Sequence, residues 1–255
     1  MNAIGRALGG ALIALSAIPQ VAQATPPDIG MAKLLWHIRH ETDAGNTNAF
    51  DSRDVWADSD GNLHLKIAWR DGHWTSAELY TDAKLGFGTY QFQIQGQPNQ
   101  LNDWVVLSFN NAPTPDIGPA LTNEIDVDFT TWGGSQSFHG NWTVWPNSQG
   151  PAPATHTYDT SPAGGLSTHR FIWKTDYVTF QAMSGLQDVD DADGMFHSWT
   201  YAPSNPKTRI PQNAEHLHMR LWMYQGVPPT DGQSVEVIIK NFEFIEDPMF
   251  ADNFE

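Results

Sequence analysis

Hydrophobic and polar residues alternate with a period of two through most of the chain. That spacing puts one face of a β-strand in a core and the other in water. The longest regular runs are Leu63-His64-Leu65-Lys66-Ile67-Ala68-Trp69-Arg70 and Glu124-Ile125-Asp126-Val127-Asp128-Phe129. Further strands are expected at 35–39, 55–57, 74–81, 86–94, 104–109, 138–145, 169–173, 177–183, 196–201, 217–224 and 235–245. Residues 31–38 fit a helical turn equally well. Asp60-Gly61 and Asp71-Gly72 are hairpin dipeptides lying between successive strands. Many short strands, turns rich in Gly, Pro and Asn, and no persuasive helix predict an all-β sandwich. The Pro/Gly-rich stretches 111–119 and 147–162 read as long loops. Residues 188–194 read as a solvated acidic loop, because Val189 stands in the first ligand position of a would-be EF-hand and no glutamate closes it.

Residues 1–24 read as a secretory signal peptide. Arg6 is their only charge, Ala7 to Ile18 form an apolar run too short to span a bilayer, and Ala22-Gln23-Ala24 is a small-x-small cleavage site. Export, with cleavage near Ala24, is therefore expected. The other 231 residues suffice for one β-domain with a sizeable core. No internal repeat or linker divides residues 25–255, and 246–255 read as an acidic, loosely attached tail.

Composition narrows the partners. The chain has no cysteine, so neither a disulfide framework nor a cysteine-based metal site exists. Loss of Arg6 with the signal moves the formal charge from −16 to −17, which disfavours nucleic acid and anionic membrane surfaces. Strongly sulfated or uronate-rich polysaccharides are disfavoured as well, and a monomer is expected. Eleven tryptophans exceed the needs of a core, and indoles also stack on sugar rings.

The acidic run carries the candidate chemistry. Glu124, Asp126, Asp128, Thr130 and Trp132 share one strand face, and Ile125, Val127 and Phe129 the other. Each carboxylate disfavours ionisation of the next, a cost accepted where water is plentiful or where a carboxyl must hold a proton. A solvated acidic edge is the plain alternative. In Asn141-Trp142-Thr143-Val144-Trp145 the polar positions share a side with Trp145, placing Trp145 with the acids and Trp142 in the core. Trp222 shares a face with Arg220 and is assigned to the same cleft. Trp132 either joins the cleft or covers a loop. Glu78 is a sugar-hydroxyl ligand or a surface ion pair, and His169 is a structural histidine.

These residues resemble glycoside hydrolase family 16, whose catalytic strand reads E-x-D-x-E or E-x-D-x-x-E; here an aspartate, Asp128, stands third. The likeness continues in order through Glu78 and Gly86 to Tyr90, through Phe171 to Trp173 and Asp176 to Phe180, and through Leu221-Trp222 to the closing 235–245 strand. Two departures are Asn110-Asn111, where an aromatic is common, and Gln91, where many relatives place a glutamate. The resemblance implies a concanavalin-like jelly roll with a sugar cleft on one sheet. It also implies a retaining mechanism with Glu124 as nucleophile, Asp126 as its assistant and Asp128 as acid/base. Lys and Arg are scarce beside Trp145 and Trp222, so a neutral, β-glucan-like polysaccharide is expected. Its candidate contacts, read from their strand faces, are Glu78, Asn141, Trp145, Trp222 and Trp132; a non-catalytic carbohydrate-binding protein is the alternative. No enzymatic cofactor is implied. The family's structural calcium would fall near Asn241, without the aspartate that would anchor it.

Overall fold

The computed structural model describes residues 28–41, 48–160 and 165–248. The signal-peptide expectation and the chain end beyond 248 lie outside those residues. The described strands are, in chain order, β1 (Ile29–Met31), β2 (Leu34–Ile38), β3 (Ala49–Phe50), β4 (Val55–Ala57), β5 (Leu63–Arg70), β6 (His73–Leu85), β7 (Gly88–Gln95) and β8 (Val105–Ala112). There follow β9 (Ile125–Phe129), β10 (Gly140–Val144), β11 (Ala154–Tyr158), β12 (Leu166–Trp173), β13 (Val178–Ser184), β14 (Met195–Tyr201), β15 (Glu215–Met223) and β16 (Val235–Glu246). A short α-helix, Pro206–Arg209, and 3-10 turns at Ser52–Asp54, Pro98–Gln100 and Tyr224–Gly226 interrupt them.

Two layers result. One runs β11-β10-β9-β8-β15-β6-β2-β1 and the other β4-β5-β16-β7-β12-β13-β14; β5 and β6 pair at their shared hairpin and join the layers. All pairings are antiparallel except that of β3 with β6. The hairpin turn is Asp71-Gly72, with φ of 50° and 90°, the left-handed pair that a two-residue turn demands. The layers meet through aromatic rings: Phe92 stacks on Phe109 at 4.3 Å, and Trp142 on Phe180 at 5.3 Å. This is an all-β jelly-roll sandwich, with Trp142 fully buried in its core.

The strand at 154–158 corrects the reading of 147–162 as loop throughout. Its Thr and His residues give no apolar alternation, because β11 is an edge strand bound on one side only, to β10. Residues 34–38 form a strand and not a helical turn. The tail is held as far as Asp247, whose carboxylate takes a hydrogen bond from Lys174 Nζ at 2.6 Å and whose N–H donates to the Phe87 carbonyl. The acidic loop is clamped from beneath: Arg170 Nη2 donates to the carbonyls of Asp188 and Asp191 and to Gln91 Oε1. Gln91 therefore lies on the outer face of the second layer, since its neighbours Tyr90 and Phe92 fill the core. It cannot alter a sugar site on the first layer.

His169 is wholly buried against Phe129, and burial pushes its pKa down to about 3. Its ordinary value is about 6.5, so the unfolded chain binds the proton first as pH falls. The stability it contributes is complete above about pH 6.5 and is lost progressively below. Acidification from neutral to pH 5 should cost about 2 kcal/mol through this group alone. Urea midpoints should fall more steeply over that window in wild type than in His169→Gln; equal slopes would assign the acid sensitivity elsewhere.

Candidate active site

Strand β9 lies between β8 and β10. Asp126 sits opposite Asn110 and Thr143, and Asp128 opposite Ser108 and Asn141, with no register shift on either side. No bulge gathers the acids; side-chain reach does. Ile125, Val127 and Phe129 are completely buried between the layers, so the carboxyls project from the outer face of the first layer. There they share a pocket of about 280 Å³ walled by Leu121, Trp132, Trp145 and Trp222, with Arg220 on its floor. A somewhat larger hollow of about 310 Å³ lies at one end of the sandwich, from Ile94 to Val237. Its one ionisable group, Glu236, is already engaged by His64 and Lys66, so size does not mark the chemical site.

Each acid has its own donor. Asn110 Nδ2 donates to Glu124 Oε1 at 2.5 Å, Trp145 Nε1 to Asp126 Oδ2 at 2.8 Å, and Ser108 Oγ to Asp128 Oδ1 at 2.6 Å. These bonds favour the ionised forms, but burial opposes them and prevails. Burial raises the Glu124 pKa, against the pull of Arg220 and the hydrogen bonds from Asp126 and Asn110. Asp126 is raised well above the carboxylate range by burial and by the charges of Glu124 and Asp128. It is thus the proton donor of the Glu124–Asp126 pair, and its Oδ1 has no protein donor to accept from. Asp128 is pushed up to about 7 by burial and Glu124, with Ser108 and Arg220 opposing. Three carboxyls therefore stand side by side, each raised by burial and each held by a different donor.

The aromatic wall depends on a tight turn. Trp132 has φ of 51° and lies beyond the end of β9, yet the turn brings it to 5.3 Å from Tyr224 and 6.5 Å from Trp222. Gly133 follows at φ 71°, where a Cβ would come within 2.9 Å of the Trp104 ring, so only glycine fits. Trp222 lines the pocket, and its buried indole N–H finds no protein acceptor.

Two expected sugar ligands are not offered to the pocket. Glu78 is 2% exposed, and its oxygens are occupied by Arg39 Nη1 at 2.7 Å, His218 Nδ1 at 2.8 Å and an ion contact with Arg220 Nε at 2.9 Å. Asn141 is buried too, its amide donating to the carbonyls of Thr130 and His139. Both face the correct layer, but Glu78's oxygens and Asn141's amide N–H groups are already engaged. Conversely, sequence reasoning assigned no role to Ser108 and Arg220 and saw Asn110 only as a departure. The alternation Leu107-Ser108-Phe109-Asn110 marked the two as outward-facing; which strand they would adjoin was not written there.

A calcium site near Asn241 does not fit. Its neighbours are Lys33 and a single carboxylate, Glu243, whereas calcium takes six to eight oxygens and is repelled by an ammonium. Among the described residues no three His, Asp or Glu side chains converge on a metal position.

No protein-family model matches the sequence, and no curated protein sequence does. Solved structures do match in shape. A β-glucanase of Bacillus licheniformis superposes with a TM-score of 0.60 at 18% identity, over 83% of this chain and 92% of the other. A laminarinase from Flavobacterium sp. UMI-01 gives 0.61 at 12% identity, over 83% and 93%. An immunostimulatory antigen and pseudo β-1,3-glucanase of Mycobacterium tuberculosis gives 0.62 at 15%, over 83% and 91%. At these identities the likeness establishes the fold, a jelly roll shared with β-glucanases and laminarinases.

Proposed function

We propose that the protein is an exported glycoside hydrolase that cleaves a neutral, β-glucan-like polysaccharide by double displacement. The observation that carries this reading is the gathering of Glu124, Asp126 and Asp128 in one pocket with an aromatic wall, each in a different electrostatic setting. Asp128, protonated in part at neutral pH, donates to the glycosidic oxygen as Glu124 attacks the anomeric carbon. The leaving sugar departs with that proton, and a glycosyl ester forms on Glu124. Asp128, now a carboxylate, takes a proton from water, whose oxygen displaces Glu124 and regenerates it as a carboxylate. Asp126 supports that departure by donating its hydrogen bond to Glu124. The indoles of Trp145, Trp222 and Trp132 supply faces on which sugar rings stack.

A neutral substrate is supported by the cations. Arg220 is the cation that lines the pocket; it is paired with Glu78, and its charge already acts on Glu124 and Asp128. A uronate or sulfate would meet carboxylates and no free positive charge.

A second reading, binding without turnover, is favoured by one feature: Asp128 is short and is tethered sideways by Ser108. Similarity in fold to a pseudo β-1,3-glucanase points the same way. A panel of β-1,3-, β-1,4- and mixed-linkage glucans, assayed for new reducing ends and for binding on affinity gels, separates the two. Hydrolysis requires reducing ends from at least one glucan; binding without them leaves the second reading. Trp222→Ala should weaken binding to the preferred glucan about tenfold, the loss of one stacking face worth about 1–1.5 kcal/mol. Its melting temperature should stay close to wild type. Stronger retention on sulfated or uronate-rich gels would overturn the neutral-substrate reading.

A further inference from the structure

We infer that Arg220, clamped from behind by Glu78, is the positioning residue that supplies the counter-charge to the acidic strand. This rests on the reading of that strand as a glycosidase centre, and it concerns what makes the centre usable. Asp128, Ser108, Arg220 and Glu78 are successive cross-strand partners on β9, β8, β15 and β6. Arg220 thus stands two strands from Asp128, about 10 Å at the backbone and within reach of its long side chain. Its guanidinium lines the same pocket as the three acids.

What holds it there is Glu78. That carboxylate accepts from Arg39 on one oxygen and from His218 on the other, and the second oxygen also faces Arg220 Nε. Arg39 is itself tied to Glu41. A carboxylate held on both oxygens cannot rotate, and it keeps its charge 2.9 Å from Arg220 Nε, an ion contact without hydrogen-bond geometry. The charged and titratable groups around Arg220 are Glu78 from β6, Arg39 just beyond β2, His218 from its own strand, and Glu124, Asp126 and Asp128 along β9. Glu215, at the start of β15, also bears on Glu124. His218 is held neutral down to about pH 4, chiefly by burial, and adds no cation here.

Arg220 pulls both Glu124 and Asp128 downward against burial. Without it, four carboxyls would crowd one sheet face with Arg39 as the remaining nearby cation. Glu124 would then keep its proton to higher pH, and a protonated carboxyl is no nucleophile.

The test uses the full-length exported protein with ¹³C-labelled Asp and Glu side-chain carboxyls. Titration by NMR is run on wild type, Arg220→Met and Arg220→Lys, together with the pH profile of kcat/KM on the glucan cleaved. In Arg220→Met, Glu124 and Asp128 should titrate about one unit higher. The ascending limb should move with them, so the rate at a fixed acidic pH falls about tenfold while KM changes little. Arg220→Lys keeps the charge and should stay within a few tenths of a unit of wild type. If the methionine variant does not fold, Arg220→Gln gives the same reading. Unmoved carboxyl titrations in a folded neutral variant would overturn the inference, as would a lysine variant shifted as far as the neutral one. A raised KM with an unshifted profile would instead make Arg220 a sugar ligand and also overturn it. If wild type cleaves no glucan, the hydrolase reading fails, while the carboxyl titrations still decide the role of Arg220.

Discussion

Glu124→Gln should remove turnover on any glucan that the wild type cleaves, by about a thousandfold or more, and leave the fold intact. An amide cannot form the glycosyl ester, so the first displacement is lost. Stability should hold or rise, because the substitution puts a neutral amide where burial opposes the charge of Glu124. Asn110 Nδ2 would still meet the amide oxygen at the position of Oε1. Reducing-end assays beside thermal melts measure both halves of this expectation. Full activity in Glu124→Gln would remove the nucleophile from this residue.

The second large effect concerns Asp128. A general acid must be protonated to act, so the rate should fall as pH rises through about 7, where this group loses its proton. On the acid side the rate should fall as Glu124 gains one, and that limb is displaced above the ordinary glutamate range by burial. Asp128→Asn should cost about a hundredfold or more and flatten the alkaline limb. Asp128→Glu should keep or raise turnover, because the added C–C bond advances the carboxyl by about 1.5 Å. Misplacement of a catalytic group by about 1 Å is worth about a hundredfold, so the aspartate should be the limiting part of the centre if the protein turns over. An alkaline limb that persists in Asp128→Asn would put the acid on another residue. A silent wild type that binds one glucan, with cleavage appearing only in Asp128→Glu, would establish the binding-protein reading.

Strand β9 was legible because its two faces differ without exception: Ile125, Val127 and Phe129 against Asp126 and Asp128. The assignment of Trp142 to the core and Trp145 to the pocket side followed from the same period of two. Strand β11 was hidden because an edge strand needs no apolar alternation. Glu78 could be placed on the right face, but not deprived of free oxygens, because its partners come from elsewhere in the chain. Arg39 lies 39 residues before Glu78, and His218 lies 140 after it.

The sequence by itself determined the period of two, and with it the class of fold, the faces of its strands and the row of acids. These are local properties: a residue and its neighbours at one and two positions fix which way a side chain points. Only the tertiary structure decided which strands lie side by side, and therefore which donor meets which acid. Ser108 on Asp128, Asn110 on Glu124, Trp145 on Asp126 and Arg220 over the pocket are cross-strand facts. So are the proton held by Asp126 and the near-neutral pKa of Asp128, since both arise from burial and from charges that no stretch of chain contains alone.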